Sequence, residues 1–228
     1  MTQFITDHFM LQNKKAVVLY NKYAKDMPIY DYHCHLDPQQ ISENTHFDNI
    51  TTLWLGGDHY KWRAMRAQGI DEYYITGDAS PREKFKKWAL TLENSVANPL
   101  YHWSHLELAM YFDVHEVLNE HNADQIYDQV NSYLQRHNIT AQSLITQSNV
   151  KLICTTDSPT DDLRYHDKLH KQKDFKTKVL PSFRPDIAFK VGEECFVDFV
   201  ETLSDLTHSI SNVDDFIEAM KIRVNYFH

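Results

Sequence analysis

From Asn149 onward the chain alternates between short β-branched runs and helical stretches, and this alternation limits its folds more than any other feature. Val150-Lys151-Leu152-Ile153-Cys154-Thr155-Thr156 reads as a strand closed by Asp157-Ser158-Pro159, and helical spacing follows over 161–172. A second such run at 177–183 ends in Arg184-Pro185-Asp186, and helical spacing returns over 193–206 and 213–226. Strand–helix–strand–helix order predicts a parallel α/β sheet.

One more strand is predicted at 29–33, after Pro28 and after helical spacing over 7–25. From about 38 to 137 no strand pattern occurs. Helices are predicted there over 49–55, 58–68, 71–75, 80–93, 99–111, 115–119 and 123–136, separated by Gly56-Gly57, Gly69, Gly77 and Asn98-Pro99. The expected organisation is an N-terminal helix and first strand over 1–37, a helical insertion over 38–148, and further βα units over 149–228. Three parallel strands leave an apolar edge uncovered, and Phe227-His228 stops within an apolar-aromatic run without a C-cap glycine. The chain is therefore expected to be part of a larger sheet.

The first strand carries the clearest chemistry. In Ile29-Tyr30-Asp31-Tyr32-His33-Cys34-His35-Leu36-Asp37-Pro38 two histidines stand two apart at the strand's exit. Side chains at i and i+2 of a strand share a face, so His33 and His35 converge while Cys34 points away. Two imidazoles on one face form half of a catalytic metal site. In a chain with 14 histidines the spacing alone is common. Its position between an apolar strand start and the Asp37-Pro38 helix entry is what gives it weight, because α/β folds carry chemistry at strand exits.

Composition narrows the partners. With a net charge of −9 and no basic stripe, nucleic acid is a poor partner. No run approaches the roughly 20 apolar residues of a transmembrane helix, and the first residues hold no signal-like apolar stretch, so no membrane partner and a cytoplasmic location are expected. Cys34, Cys154 and Cys195 are odd in number and widely spaced, which suits a reducing compartment.

Several longer segments resemble the uronate isomerase (glucuronate isomerase) family of amidohydrolase-type metal-dependent barrels. They are Asp31-Tyr32-His33-Cys34-His35-Leu36, the stretch from Leu53-Trp54-Leu55-Gly56-Gly57-Asp58-His59-Tyr60 to Arg66, and Tyr74-Ile75-Thr76-Gly77-Asp78-Ala79-Ser80. Asn98-Pro99-Leu100-Tyr101-His102-Trp103-Ser104-His105-Leu106-Glu107-Leu108, Ser148 to Asp157, and Phe183-Arg184-Pro185-Asp186 complete the set. The resemblance implies the N-terminal part of a (β/α)8 TIM-type barrel, about three strands, with a large helical insertion after the first. It also implies isomerisation of D-glucuronate to D-fructuronate and of D-galacturonate to D-tagaturonate through a cis-enediol. Family members are longer, and a metal carboxylate on the last strand lies outside this chain.

The resemblance makes His33 and His35 the metal pair, for a divalent ion, expected to be Zn²⁺, that polarises the sugar's C1–C2 oxygens. His59 and Tyr60 follow Asp58, a helix N-cap, and are the candidate proton carriers or oxyanion donors; a helix start also suits an anion. Arg184 suits the uronate C6 carboxylate, against a plain salt bridge with Asp186. Asp157 is either a partner behind the ligands or, the favoured reading, a helix cap. His102, His105, His166 and His170 are expected to be packed or solvated helix histidines. Arg63 and Arg66 are expected in salt bridges, and Trp54, Trp62, Trp88 and Trp103 in the core. The expected ligand is a small uronate sugar, and the uncovered edge predicts a homo-oligomer or a complementing C-terminal half. A metal-dependent hydrolase of the same barrel type and a non-catalytic partial barrel are the alternatives.

Overall fold

A computed structural model describes residues 3–228, which form two compact units. Among the described residues, one comprises 3–27 and 46–144, the other 28–45 and 145–228.

The second unit holds the sheet. Strands β1 (Ile29–Asp31), β2 (Val150–Cys154) and β3 (Lys178–Leu180) are parallel, in the order β1-β2-β3. Consecutive βα units of a (β/α)8 barrel have this topology. Leu152 and Ile153 of β2 pair with Tyr30 and Asp31 on one side and with Lys178 and Val179 on the other. The short helix α2 (Pro38–Ser42) follows β1, capped by the Asp37 carboxylate on Gln39 N–H, with Pro38 in its first turn. It packs with α9 (Arg164–Lys171) around Ile41, Ile153, Leu169, Phe175 and Val179. Helices α10 (Glu194–Leu206) and α11 (Val213–Phe227) close a smaller cluster of Phe199, Leu203 and Ala219.

The first unit is helical. The predicted helix over 7–25 begins only at Lys14, where Asn13 caps Ala16 N–H, and α1 (Lys14–Leu19) continues as a π-turn over Tyr20–Ala24. After it come α3 (Ile50–Leu55), α4 (His59–Ala67), α5 (Pro81–Glu93), α6 (Pro99–Phe112) and α7 (Ala123–Arg136). Trp88, Phe85, Leu92, Leu108, Leu118 and Val130 form its fully buried centre. Ser80 and Glu83 form a reciprocal capping box at the start of α5. Gly69, at φ 74°, takes the left-handed position after α4 that a side chain would strain.

Three local expectations change. The helix predicted over 115–119 is absent: Asp113 ends α6 in the left-handed region, and the Leu118 N–H donates instead to His105 Nε2. An unpredicted helix α8 (Ala141–Gln147) starts at Thr140, whose hydroxyl and N–H exchange bonds with Ser143. The strands predicted at 29–33, 150–156 and 177–183 have shorter regular ladders; beyond β3, Ser182 N–H donates to the Asp157 carboxylate instead of to the β2 backbone. Among the described residues no helix is long and apolar enough to cross a membrane.

Candidate functional site

The exits of the three strands carry the polar side chains of the second unit. Beyond β1 the backbone still follows β2, because Cys34 N–H donates to the Cys154 carbonyl at 3.0 Å. Cys34 therefore turns inward against Ile41 and Ile153, while His33 and His35 stand exposed on the other side. Burial pushes the Cys34 thiol up, which favours its protonated form. The two imidazoles meet edge-to-face with ring centroids 5.2 Å apart. The alternation expected of the segment persists although the regular strand ends at Asp31.

The next strand exit supports one of these rings. Thr156 Oγ1 lies 3.3 Å from His35 Nδ1. If Nδ1 carries the proton and donates to Thr156, Nε2 keeps its lone pair for a cation, as ligating histidines do when their other nitrogen is engaged. The donor set fits half of a tetrahedral Zn²⁺ shell. Among the described residues no group of three or more His, Cys, Asp or Glu side chains could hold a metal ion, so the two imidazoles stand without a third ligand.

Asp157, the last residue of this exit, is not a helix cap. The turn into α9 is made by Asp161 and Asp162, which accept from the Leu163 and Arg164 N–H groups. Asp157 is 5% exposed, and its Oδ2 accepts from Thr155 Oγ1 at 2.7 Å and from Ser182 N–H at 3.1 Å. His166 Nε2 lies 2.8 Å from Thr155 Oγ1. Burial pushes the His166 imidazole below its ordinary pKa, against the opposing pull of Asp157 and Asp161. The lowered pKa favours the neutral imidazole, and where Thr155 donates its hydrogen to the carboxylate, His166 Nε2 is the donor to Thr155.

Arg184 sits in the Pro-flanked turn after β3, half-exposed, with its Nε–H donating to Asp186. The salt bridge weighed from sequence is therefore present. A pair this exposed is worth about 0–1 kcal/mol, so an incoming carboxylate could displace Asp186 at little cost.

His59 and Tyr60 belong to the other unit, at the first two positions of α4. Asp58 caps the helix, as expected: its Oδ1 accepts from Tyr60 and Lys61 N–H at 2.9 and 3.0 Å. Those amides are thus taken, and the cap's own charge already offsets the helix dipole, which removes the basis for an anion at this helix start. His59 packs edge-on to Trp62, and Tyr60 is 66% exposed beneath Arg63. Beneath them lies a charge cluster that the sequence reading did not single out. Lys61, only 8% exposed, reaches Asp58 Oδ2 at 2.5 Å and sits beside Glu107 of α6. Burial pushes the Glu107 carboxyl up; Lys61 and the Trp54 indole N–H pull it back.

The remaining candidates are structural. His105 is buried, bonded to the Tyr101 carbonyl and Leu118 N–H, and burial pushes its pKa down. His102 stacks on Phe4. Arg66 pairs bidentately with Glu72, whose carboxyl falls to about 2 under those bonds. Trp54 and Trp88 are core residues, Trp62 partly so, but Trp103 is exposed, contrary to expectation.

The profile of the family described as glucuronate isomerase matches residues 1–228. The chain is 64% identical over 225 residues to the uronate isomerase of Staphylococcus haemolyticus, covering 99% of this chain and 48% of that one. It is 51% identical over 229 residues to the uronate isomerase of Bacillus subtilis, covering 100% of this chain and 48% of the relative. The crystal structure of uronate isomerase from Thermotoga maritima superposes with a TM-score of 0.92 at 34% identity, over 99% of this chain and 49% of that one. The chain thus spans about half the length of the curated relatives it matches.

Proposed function

The chain belongs to the glucuronate isomerase family, and from that premise we propose that it carries the metal-binding and substrate-carboxylate-binding part of an isomerase acting on D-glucuronate and D-galacturonate. The products are D-fructuronate and D-tagaturonate. The observation that carries the reading is the exposed His33–His35 pair at the exit of β1, with Thr156 on His35 and Arg184 on the exit of β3.

In this reading His33 and His35 hold a divalent ion, Zn²⁺ by donor type, which supplies Lewis-acid polarisation of the sugar's C1–C2 oxygens. Thr156 holds the orientation of the His35 ring through Nδ1. Arg184 exchanges Asp186 for the C6 carboxylate and so orients the chain of the sugar. For His59 and Tyr60, both solvent-exposed at the start of α4, the proposed roles of proton carrier and oxyanion donor rest on the family resemblance alone. The partner is a small uronate sugar.

The test follows ketouronate formation from D-glucuronate by the Zn²⁺-loaded 228-residue chain, alone and mixed with the C-terminal half of the Bacillus subtilis relative. Turnover in either sample that disappears with His33→Ala supports the proposal. Absence of turnover in both samples overturns it.

A further inference from the structure

We propose that Asp157, backed by Thr155 and His166, is a positioning residue that fixes the Arg184 turn against the β2 exit whose next side chain touches His35. The inference rests on the reading of Arg184 as the group that binds the substrate carboxylate.

The geometry of the strand exits carries it. Past β3 the pairing with β2 continues, as Thr155 N–H donates to the Leu180 carbonyl at 3.0 Å. In a regular parallel ladder Ser182 N–H would then reach the Thr155 carbonyl. The Asp157 carboxylate takes that donor instead, at 3.1 Å. Asp157 N–H donates to the Ser182 carbonyl and the Asp157 carbonyl accepts from Arg184 N–H, both at 3.0 Å. One residue thus makes three of the bonds that hold the turn, and Asp157 and Phe183 form an isolated parallel bridge beyond the regular ladder.

At 5% exposure the Asp157 carboxyl oxygens need hydrogen-bond donors from the protein. Thr155, fully buried, supplies one, and its oxygen is held in turn by His166 Nε2. With Thr155 donating to the carboxylate, donors run from imidazole to hydroxyl to carboxylate, and the Leu180 carbonyl at 3.3 Å is a second acceptor for the same hydroxyl. His166 Nδ1 has no partner and is buried, which matches a neutral imidazole presenting only a lone pair there. Side chains alternate along the exit: Thr155 and Asp157 face this buried array while Thr156 faces His35. Because Thr155, Thr156 and Asp157 are consecutive, His35 and the Arg184 backbone are referred to one short, rigid segment. A uronate held at both ends needs the separation of those ends fixed, and misplacement by an ångström costs heavily in rate.

The test uses Asp157→Asn in the full 228-residue chain, with Thr155→Val as the milder variant should Asp157→Asn fail to fold. Hydrogen exchange at Ser182, Phe183 and Arg184 is expected to quicken in both variants relative to other β3 amides. In the isomerase assay KM for D-glucuronate is expected to rise about tenfold, more than kcat falls, and adding Arg184→Lys should bring little further loss, since both act on one contact. Unchanged exchange at the turn overturns the proposal. So does a fall in kcat with KM unmoved, or full additivity with Arg184→Lys, either of which marks general destabilisation. If the unmutated chain shows no turnover in either sample, the uronate reading fails by itself and the exchange measurement decides whether Asp157 holds the turn.

Discussion

Replacing Lys61 by Met tests the energetics of the charge cluster under α4. Lys61 Nζ and Asp58 Oδ2 are 2.5 Å apart, with side-chain exposures of 10% and 31%. Breaking a fully buried ion pair from one side costs about 3–5 kcal/mol. Asp58 retains two backbone donors and some solvent, so roughly half of that is expected, about 2 kcal/mol, while Met preserves the packing of the aliphatic stem. Glu107 makes the prediction sharper. Without the ammonium, its carboxylate faces Asp58 uncompensated, so Glu107→Gln should return about 1 kcal/mol in the Lys61→Met background and little in the unmutated chain. All four tryptophans, Trp54, Trp62, Trp88 and Trp103, lie in the helical unit, so fluorescence-monitored urea unfolding reads this unit selectively. A Lys61→Met chain within about 0.5 kcal/mol of the original, or a cost independent of residue 107, would refute the reasoning.

Burial holds His166 neutral in the fold, so its folded pKa lies below the unfolded value of about 6.5. The unfolded chain then takes up the proton first, and this contribution to stability is present above that pH and lost as pH falls through the folded value. Denaturation followed by far-UV circular dichroism from about pH 7.5 to 5 should show a steeper loss in the original chain than in His166→Gln; equal slopes would contradict it. Arg223, buried on α11, donates to the Pro159 and Asp161 carbonyls, so Arg223→Ala should cost about 3 kcal/mol by the same assay. Asp186→Asn should change D-glucuronate KM by less than about twofold, because the exposed Arg184–Asp186 pair is weak; a tenfold change would show that Asp186 orients the guanidinium.

The parallel order of the strands and the outward pair His33 and His35 were legible because both rest on short-range periodicity: β-branched runs between helices, and inward Cys34 between two outward neighbours. Asp58 was legible as a cap for the same reason. What escaped depended on contacts distant in sequence. Leu118 looked helical, but its N–H serves His105, thirteen residues away. Asp157 resembled a cap by its place before Ser158-Pro159; its partner Ser182 lies 25 residues on. Lys61 drew no notice because a lysine at the start of a helix is ordinarily solvated, and only the fold brings Glu107 beside it. Helix α8 is short, and its cap uses Ser143 where the familiar pattern has Glu or Gln.

Calorimetric titration of Zn²⁺ into the 228-residue chain tests the metal-binding role of His33 and His35 most directly. One ion per chain is expected at a site that His33→Ala and His35→Ala each weaken and that the double variant loses. Identical titrations of the original chain and the double variant would contradict it.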